Sequence, residues 1–300
     1  MIRKHTRRAA KAAFAVAFGV ALLIGGSATA AQPTVTIGTK NFTEEYLLGQ
    51  LYKQALEAKG FKVAYKENIG STEIIDTALT SGKINFYPEY TGVIVAVVFH
   101  KAKAPNSAVD VYNLAKRLQE QRGFTLLNMT PFYDRDEMGV LSSTATKYGL
   151  KTVADLKKVK GLSICGFPEF QTRFQGLVGL KQVYGITGVK FVPLSGISTY
   201  EALDTHKCLA GDVFSTDPQL AGTKYKILTD KKNVFGFQNV APVVSKKLVK
   251  ALGPKFAATV NAVSAKLTLQ AMIAMNKAVA IDKKAAPAVA GAFLKANGLA

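Results

Sequence analysis

The sequence predicts an α/β fold of two lobes with a ligand cleft between them. Three observations carry this. From Val35 onward, short apolar runs of strand length alternate with segments whose apolar residues recur at helical spacing, as expected for parallel sheets covered by helices. The alternation restarts after Pro131. Residues 32–300 make a chain of about 270 residues, long for one core and comfortable for two. A hydrophobic content of 48% excludes general disorder.

The first 31 residues read as a secretory leader. Arg3, Lys4, Arg7, Arg8 and Lys11 precede an uncharged apolar run from Ala12 to Ile24, and Ala28-Thr29-Ala30 then offers a small-residue cleavage site near Ala30/Ala31. The apolar run is shorter than the roughly 20 residues that span a bilayer. No cysteine lies near the cleavage site to carry a lipid. The expected product is a soluble protein of the periplasm.

Cleavage would remove five of the 39 Lys+Arg and none of the 20 Asp+Glu, lowering the net charge from +19 to +14. The remaining lysines are dispersed, with no basic run longer than pairs such as Lys157-Lys158 and Lys283-Lys284. Dispersed charge reads as a solvated surface, so no nucleic-acid partner is expected. The only cysteines are Cys165 and Cys208, which in an oxidising compartment either pair or lie buried as free thiols.

Taken in order, Val35 to Gly38 reads as a strand. Asn41-Phe42-Thr43-Glu44 reads as a helix start with Asn41 as cap, and Tyr46, Leu47, Leu51 and Leu56 continue the helix to Gly60. Phe61 to Tyr65 alternates like a strand, Ser71 to Leu79 reads as a helix, and Ile84 to Tyr87 as a third strand. Past Pro131, Thr152 to Leu156 is a helix start, Leu162 to Cys165 a strand and Gly176 to Tyr184 a helix, followed by strands at Lys190 to Pro193 and Asp212 to Phe214. The tail from Pro254 has helical spacing at Val260, Val263, Leu267 and Met272, and is placed back on the first lobe. Ligands of such sheets sit beyond the carboxyl ends of the strands, which here carry Thr39-Lys40-Asn41 and Tyr87-Pro88-Glu89-Tyr90.

Several segments, in this order, resemble the binding proteins of glycine betaine, choline and carnitine ABC importers. They are Gly38 to Glu44, Tyr87-Pro88-Glu89-Tyr90-Thr91-Gly92, Gly166 to Phe170 with Arg173, Phe214-Ser215-Thr216-Asp217, and Ala241-Pro242-Val243-Val244. The resemblance covers nearly all of the chain after the leader. It implies a type II-like periplasmic-binding-protein fold, with residues 32–132 plus 242–300 in lobe I and 133–241 in lobe II. It also implies an ABC permease and ATPase as partners, a monomer, and no cofactor or metal.

The chemistry of such a ligand is simple to state. A quaternary ammonium has no N–H to donate and is held by the faces of aromatic rings, each contributing about 0.5 to 2 kcal/mol. A carboxylate calls for Arg or Lys. By resemblance, Lys40 and Arg173 are the carboxylate-side candidates, and Tyr90 and Phe214 match two rings of an aromatic box. The chain departs from the pattern at three places. Val93 stands where a threonine hydroxyl is common, Asp136 beside Asp134 where a ring is common, and Gln238 where the last ring is common. Nearby Phe132, Tyr133, Phe235 and Phe237 are candidates to complete the box. Taken as they stand, Asp136 and Gln238 suit an amine that still carries hydrogens.

Catalysis finds no support. Outside the leader the only histidines are His100 and His206, and no zinc-protease, nucleophile-elbow or phosphate-loop motif is present. Arg173 also has a structural reading, as an ion-pair partner of Glu169 or Asp217.

Overall fold

Val35–Lys40 opens the fold as strand β1 in a computed structural model that describes residues 1–2, 32–101, 105–194 and 196–300. The leader expectation therefore lies outside the described residues. The further strands are β2 (Val63–Gly70), β3 (Phe86–Tyr90), β4 (Phe124–Leu126), β5 (Asp136–Leu141), β6 (Ser163–Gly166), β7 (Lys190–Pro193), β8 (Ala210–Phe214), β9 (Tyr225–Leu228) and β10 (Val240–Ser245). The helices are α1 (Thr43–Ala58), α2 (Thr72–Thr80), α3 (Thr91–Val93), α4 (Ala108–Glu120), α5 (Ser142–Tyr148), α6 (Gly179–Tyr184), α7 (Thr199–Asp204), α8 (Lys246–Lys266), α9 (Leu269–Ala280) and α10 (Ala286–Ala296).

Two five-stranded sheets result, in the orders β2-β1-β3-β10-β4 and β7-β6-β8-β5-β9. Each has three parallel strands followed by one antiparallel strand, β10 against β3 and β5 against β8. The topology is thus repeated although the sequence carries no visible repeat. Every face is covered, as strands apolar on both sides require. In β3, Phe86 and Tyr90 face a core shared with α1 and the tail helices, while Tyr87 faces the core under α2 and α4. Val260, Val263, Leu267 and Met272 are all buried in the first of these cores, so the tail packs on the first sheet.

The chain crosses between sheets after β4 and returns before β10, and the two crossings pair. Tyr133 bridges Asn239, Asp134 N–H donates to Gln238 O, and Asn239 Nδ2 donates to the carbonyls of Thr130 and Phe132 at 3.1 Å.

Local readings shift in instructive ways. The residue capping α1 is Phe42, in extended conformation and with no side-chain bond, so Asn41 does not cap it. Strand β2 runs past Tyr65 because an edge strand tolerates polar residues such as Glu67 and Asn68, which an apolar pattern does not flag. Thr152 to Leu156 starts only a short 3₁₀ turn (Val153–Lys158), closed by reciprocal Thr152 and Asp155 bonds. The segment from Gly176 becomes α-helical only at Gly179, after a π turn over Phe174–Val178. Cys165 and Cys208 are joined as a disulfide across the second sheet's flank.

Candidate ligand-binding site

The carboxyl ends of β1, β3, β6 and β8 converge on a cavity of about 100 Å³, walled by residues of both sheets and of the crossings. Irregular backbone delivers the key side chains. The β1–β2 register slips between Gly38 and Lys40, a bulge at the strand end that sets the direction of Lys40. Gly176 lies so close to Phe170 that a Cβ would meet its carbonyl oxygen at 1.9 Å, and this approach places Gln175 in the wall. Gly92 is similarly constrained, with Phe237 O and the Gln238 amide within 2.8 Å of any Cβ.

Lys40 is the most constrained cation. Its ammonium pairs with Glu89 Oε1 at 2.5 Å and lies 4.2 Å from the centre of the Tyr90 ring and 5.5 Å from that of Phe42. Glu89, wholly buried, also accepts from Tyr90 N–H and Thr72 Oγ1. The Phe42 and Tyr90 rings stack at 6.2 Å, and Tyr90 donates its hydroxyl to Glu44. Phe214 faces Phe167 at 6.3 Å on the other side of the cleft.

Arg173 pairs with neither Glu169 nor Asp217. Its Nη2 donates to both carboxylate oxygens of Glu73, at 3.1 and 3.0 Å, and so ties the second sheet's π turn to α2 of the first. Gln175 Nε2 makes a second tie, to Gly92 O at 3.4 Å. Val93 offers no hydroxyl, and its N–H is taken by Gln238 Oε1 at 2.9 Å. Gln238 therefore helps shape the wall as well as facing the cavity.

Asp136 and Asp212 sit diagonally across the β5–β8 pair, on one face of the sheet. Burial, then the charge and hydrogen bond of Asp136, push Asp212 well above the usual carboxylate range. Asp136 is raised less, because Arg173 and Lys40 oppose the effect of burial. Asp134 is also raised by burial and by Glu44, and is held by Thr216 N–H at 3.1 Å.

Lys40, Tyr90, Val93, Asp134, Asp136, Arg173, Phe214 and Gln238 all line this cavity. Phe132, Tyr133, Phe235 and Phe237 do not. Phe132 and Phe235 are core residues, Phe237 packs with the core under α2, and Tyr133 is 40% exposed. The rings that supplement Tyr90 and Phe214 are instead Phe42, Phe167 and Phe170. All three lie within the segments that carry the resemblance, but only the strand-end geometry turns them toward the cleft. Gln175 and Asp212 had no sequence signal.

Three polar atoms of the lining are buried without a partner among the described residues, namely Arg173 Nε, Gln175 Oε1 and Asp212 Oδ1. One donor and two acceptors, flanked by rings, are what a small molecule with both an anionic and a donor-bearing end would satisfy.

Comparison with known proteins agrees. Residues 33–296 match the family described as the substrate binding domain of the ABC-type glycine betaine transport system. A glycine-betaine-binding protein of Pseudomonas aeruginosa is 29% identical over 278 residues, covering 89% of this chain and 88% of that one. The ergothioneine transport permease/ergothioneine binding protein EgtU of Helicobacter pylori is 26% identical, over 92% of this chain and 50% of that longer one. A crystal structure of a glycine betaine/carnitine/choline ABC transporter superposes with a TM-score of 0.71 at 24% identity, over 88% of this chain and 99% of that one. The fold is the two-lobed α/β periplasmic-binding-protein fold, and the chain belongs to the family of substrate-binding domains of ABC-type glycine betaine transport systems.

Proposed function

We propose that this chain, after removal of a leader at residues 1–31, is the periplasmic component that delivers a quaternary amine or related zwitterionic compatible solute to an ABC permease and ATPase. Its lobes are residues 32–132 with 242–300, and 133–241, and it works as a monomer. The observation that carries the reading is the set of unpartnered atoms on Arg173, Gln175 and Asp212, in a ring-walled cavity between two sheets. Arg173 and Lys40 hold the ligand carboxylate, and Tyr90, Phe214 and their neighbouring rings flank its amine. Val93, Asp134, Asp136 and Gln238 complete the wall.

One observation favours a second reading within the same class. The Lys40 ammonium already occupies the faces of Tyr90 and Phe42, where a quaternary ammonium would seek its contacts, while Asp136 and Asp212 supply a carboxyl pair. An amine with N–H groups answers that pair better than a methylated one. This chain is similar both to a relative named for glycine betaine and to one named for ergothioneine, so family membership alone does not fix the ligand.

A thermal-shift screen of the protein starting at Gln32 tests both, because selective binding to the folded state raises Tm. Stabilisation by betaine, choline or carnitine supports the first reading, and stabilisation confined to primary or secondary amines supports the second. No shift with any zwitterion or amine at millimolar concentration overturns the assignment.

A further inference from the structure

Beyond the ring wall lies a second and larger chamber, of about 230 Å³. Phe42, Phe167, Phe214 and Asp134 line both spaces, so the two chambers adjoin across a partition of three rings and a carboxyl. We propose that the cleft binds a zwitterion longer than a betaine, with its head in the first chamber and a tail bearing hydrogen-bond donors in the second. This rests on the reading of the first chamber as a zwitterion site.

The polar inventory of the second chamber sets the chemistry of the tail. Among the described residues its lining holds three carboxyls, Glu44, Asp134 and Asp217, and no Lys or Arg. Asn276, 6% exposed, donates Nδ2 to Glu44 Oε2 at 2.8 Å and to Thr216 O at 3.4 Å. With the donor end of the amide committed to two acceptors, the other end is fixed as the carbonyl. That Oδ1 is buried and has no partner among the described residues, and the same holds for Gln219 Oε1 in the same wall. The fixed acceptor Asn276 Oδ1, with the Gln219 amide in the same wall and no cation among the described lining, calls for N–H donors and disfavours an anion. Leu194, Ile197, Pro218 and Ala280 supply apolar surface for the methylenes or ring that carry those donors. A protonated amine, a guanidinium or an N–H-bearing heterocycle has this chemistry.

The test compares tails on one head by isothermal calorimetry with the protein from Gln32 onward. The probes are L-alanine, L-norleucine and L-arginine, each with a free and with a trimethylated α-amine, so that either form of the head is represented. In whichever head form binds, the arginine derivative is expected to bind at least about tenfold tighter than the alanine one, the effect of one charge-assisted hydrogen bond. Norleucine is expected to fall between them. Ala280→Phe, which fills the chamber from the end of α9, is expected to bring the arginine-to-alanine ratio towards one, with folding checked by the unliganded Tm. Arginine and alanine binding equally to the native chain overturns the tail chamber and leaves the head site standing. Norleucine matching arginine overturns the donor-bearing class. Failure of all six probes to bind overturns the zwitterion reading itself.

Discussion

The ammonium of Lys40 lies 4.2 Å from the centre of the Tyr90 ring and is anchored there by the buried carboxylate of Glu89. One side chain of the protein thus fills a place where a cationic ligand would gain its cation–π contact. Replacing Lys40 by Met strips Glu89 of its partner in a fully buried position, and the loss is expected to be on the order of 3 kcal/mol. Lys40→Met combined with Glu89→Gln removes both charges and is expected to recover much of that stability. In this double variant choline, which has no carboxylate to lose from Lys40, is expected to bind several-fold tighter, since one freed ring contributes roughly 0.5 to 2 kcal/mol. A well-folded double variant with unchanged choline affinity would show that access to Tyr90 does not limit cation binding.

Glu73 and Arg173 form the charged tie across the cleft, and each is partly exposed. Such a pair contributes little to folding, about 1 kcal/mol or less, but its two ends belong to different sheets. Glu73→Gln is therefore expected to leave Tm within about 2 °C while increasing the radius of gyration of the unliganded chain in solution scattering. An unchanged radius would show that the cleft is held shut by other contacts, with Thr216 Oγ1 to Glu44 Oε2 at 2.6 Å the next to remove.

The Cys165–Cys208 bridge closes a loop of 43 residues, which in the chain-entropy account is about 4 kcal/mol of constraint on the unfolded state. Because the loop contains Arg173, Gln175, the end of β6 and all of β7, reduction also loosens one wall of the cleft. The double replacement by alanine, or dithiothreitol in excess, is expected to lower Tm by roughly 5 °C or more. A Tm indifferent to reductant would mean that the thiols are not joined in the folded protein.

What was legible in the sequence follows from what periodicity can report. Strands such as Lys190–Pro193 and the tail helices were readable because apolar side chains recur where a core needs them. The sheet edges were not, because Glu67 and Asn68 face solvent and carry no pattern. The eight candidate side chains lie together on the cavity; strand ends alone pointed to Lys40 and Tyr90, where parallel sheets present loops to a cleft, and the family resemblance supplied the other six. Partners were beyond reach for a different reason. Glu73 and Arg173 are 100 residues apart, and Glu44 and Asn276 are 232 apart. Gln175 enters the wall only through the close approach of Gly176 to Phe170, a backbone event with no side-chain signature.

Glu45 makes the folded state sensitive to pH. Burial is the largest cause, with Lys40 opposing it and Glu89 and Glu44 adding to it, and its carboxyl is pushed up to about 8. Asp217 is pushed up to about 6, again by burial. An unfolded chain releases these protons near pH 4, so between that pH and the folded values the native state binds more protons than the unfolded one. Stability therefore falls as pH rises through roughly 4 to 8, with the Asp217 share gone above about 6 and the Glu45 share above about 8. The unliganded protein is expected to melt at least ~2 °C higher at pH 5.5 than at pH 8. Glu45→Gln imitates the protonated group and keeps an acceptor for Lys40 N–H, so it is expected to raise Tm at pH 8 and flatten the profile. A native profile that is level or rises over this range, or a Glu45→Gln variant that melts lower at pH 8, would place the buried proton elsewhere.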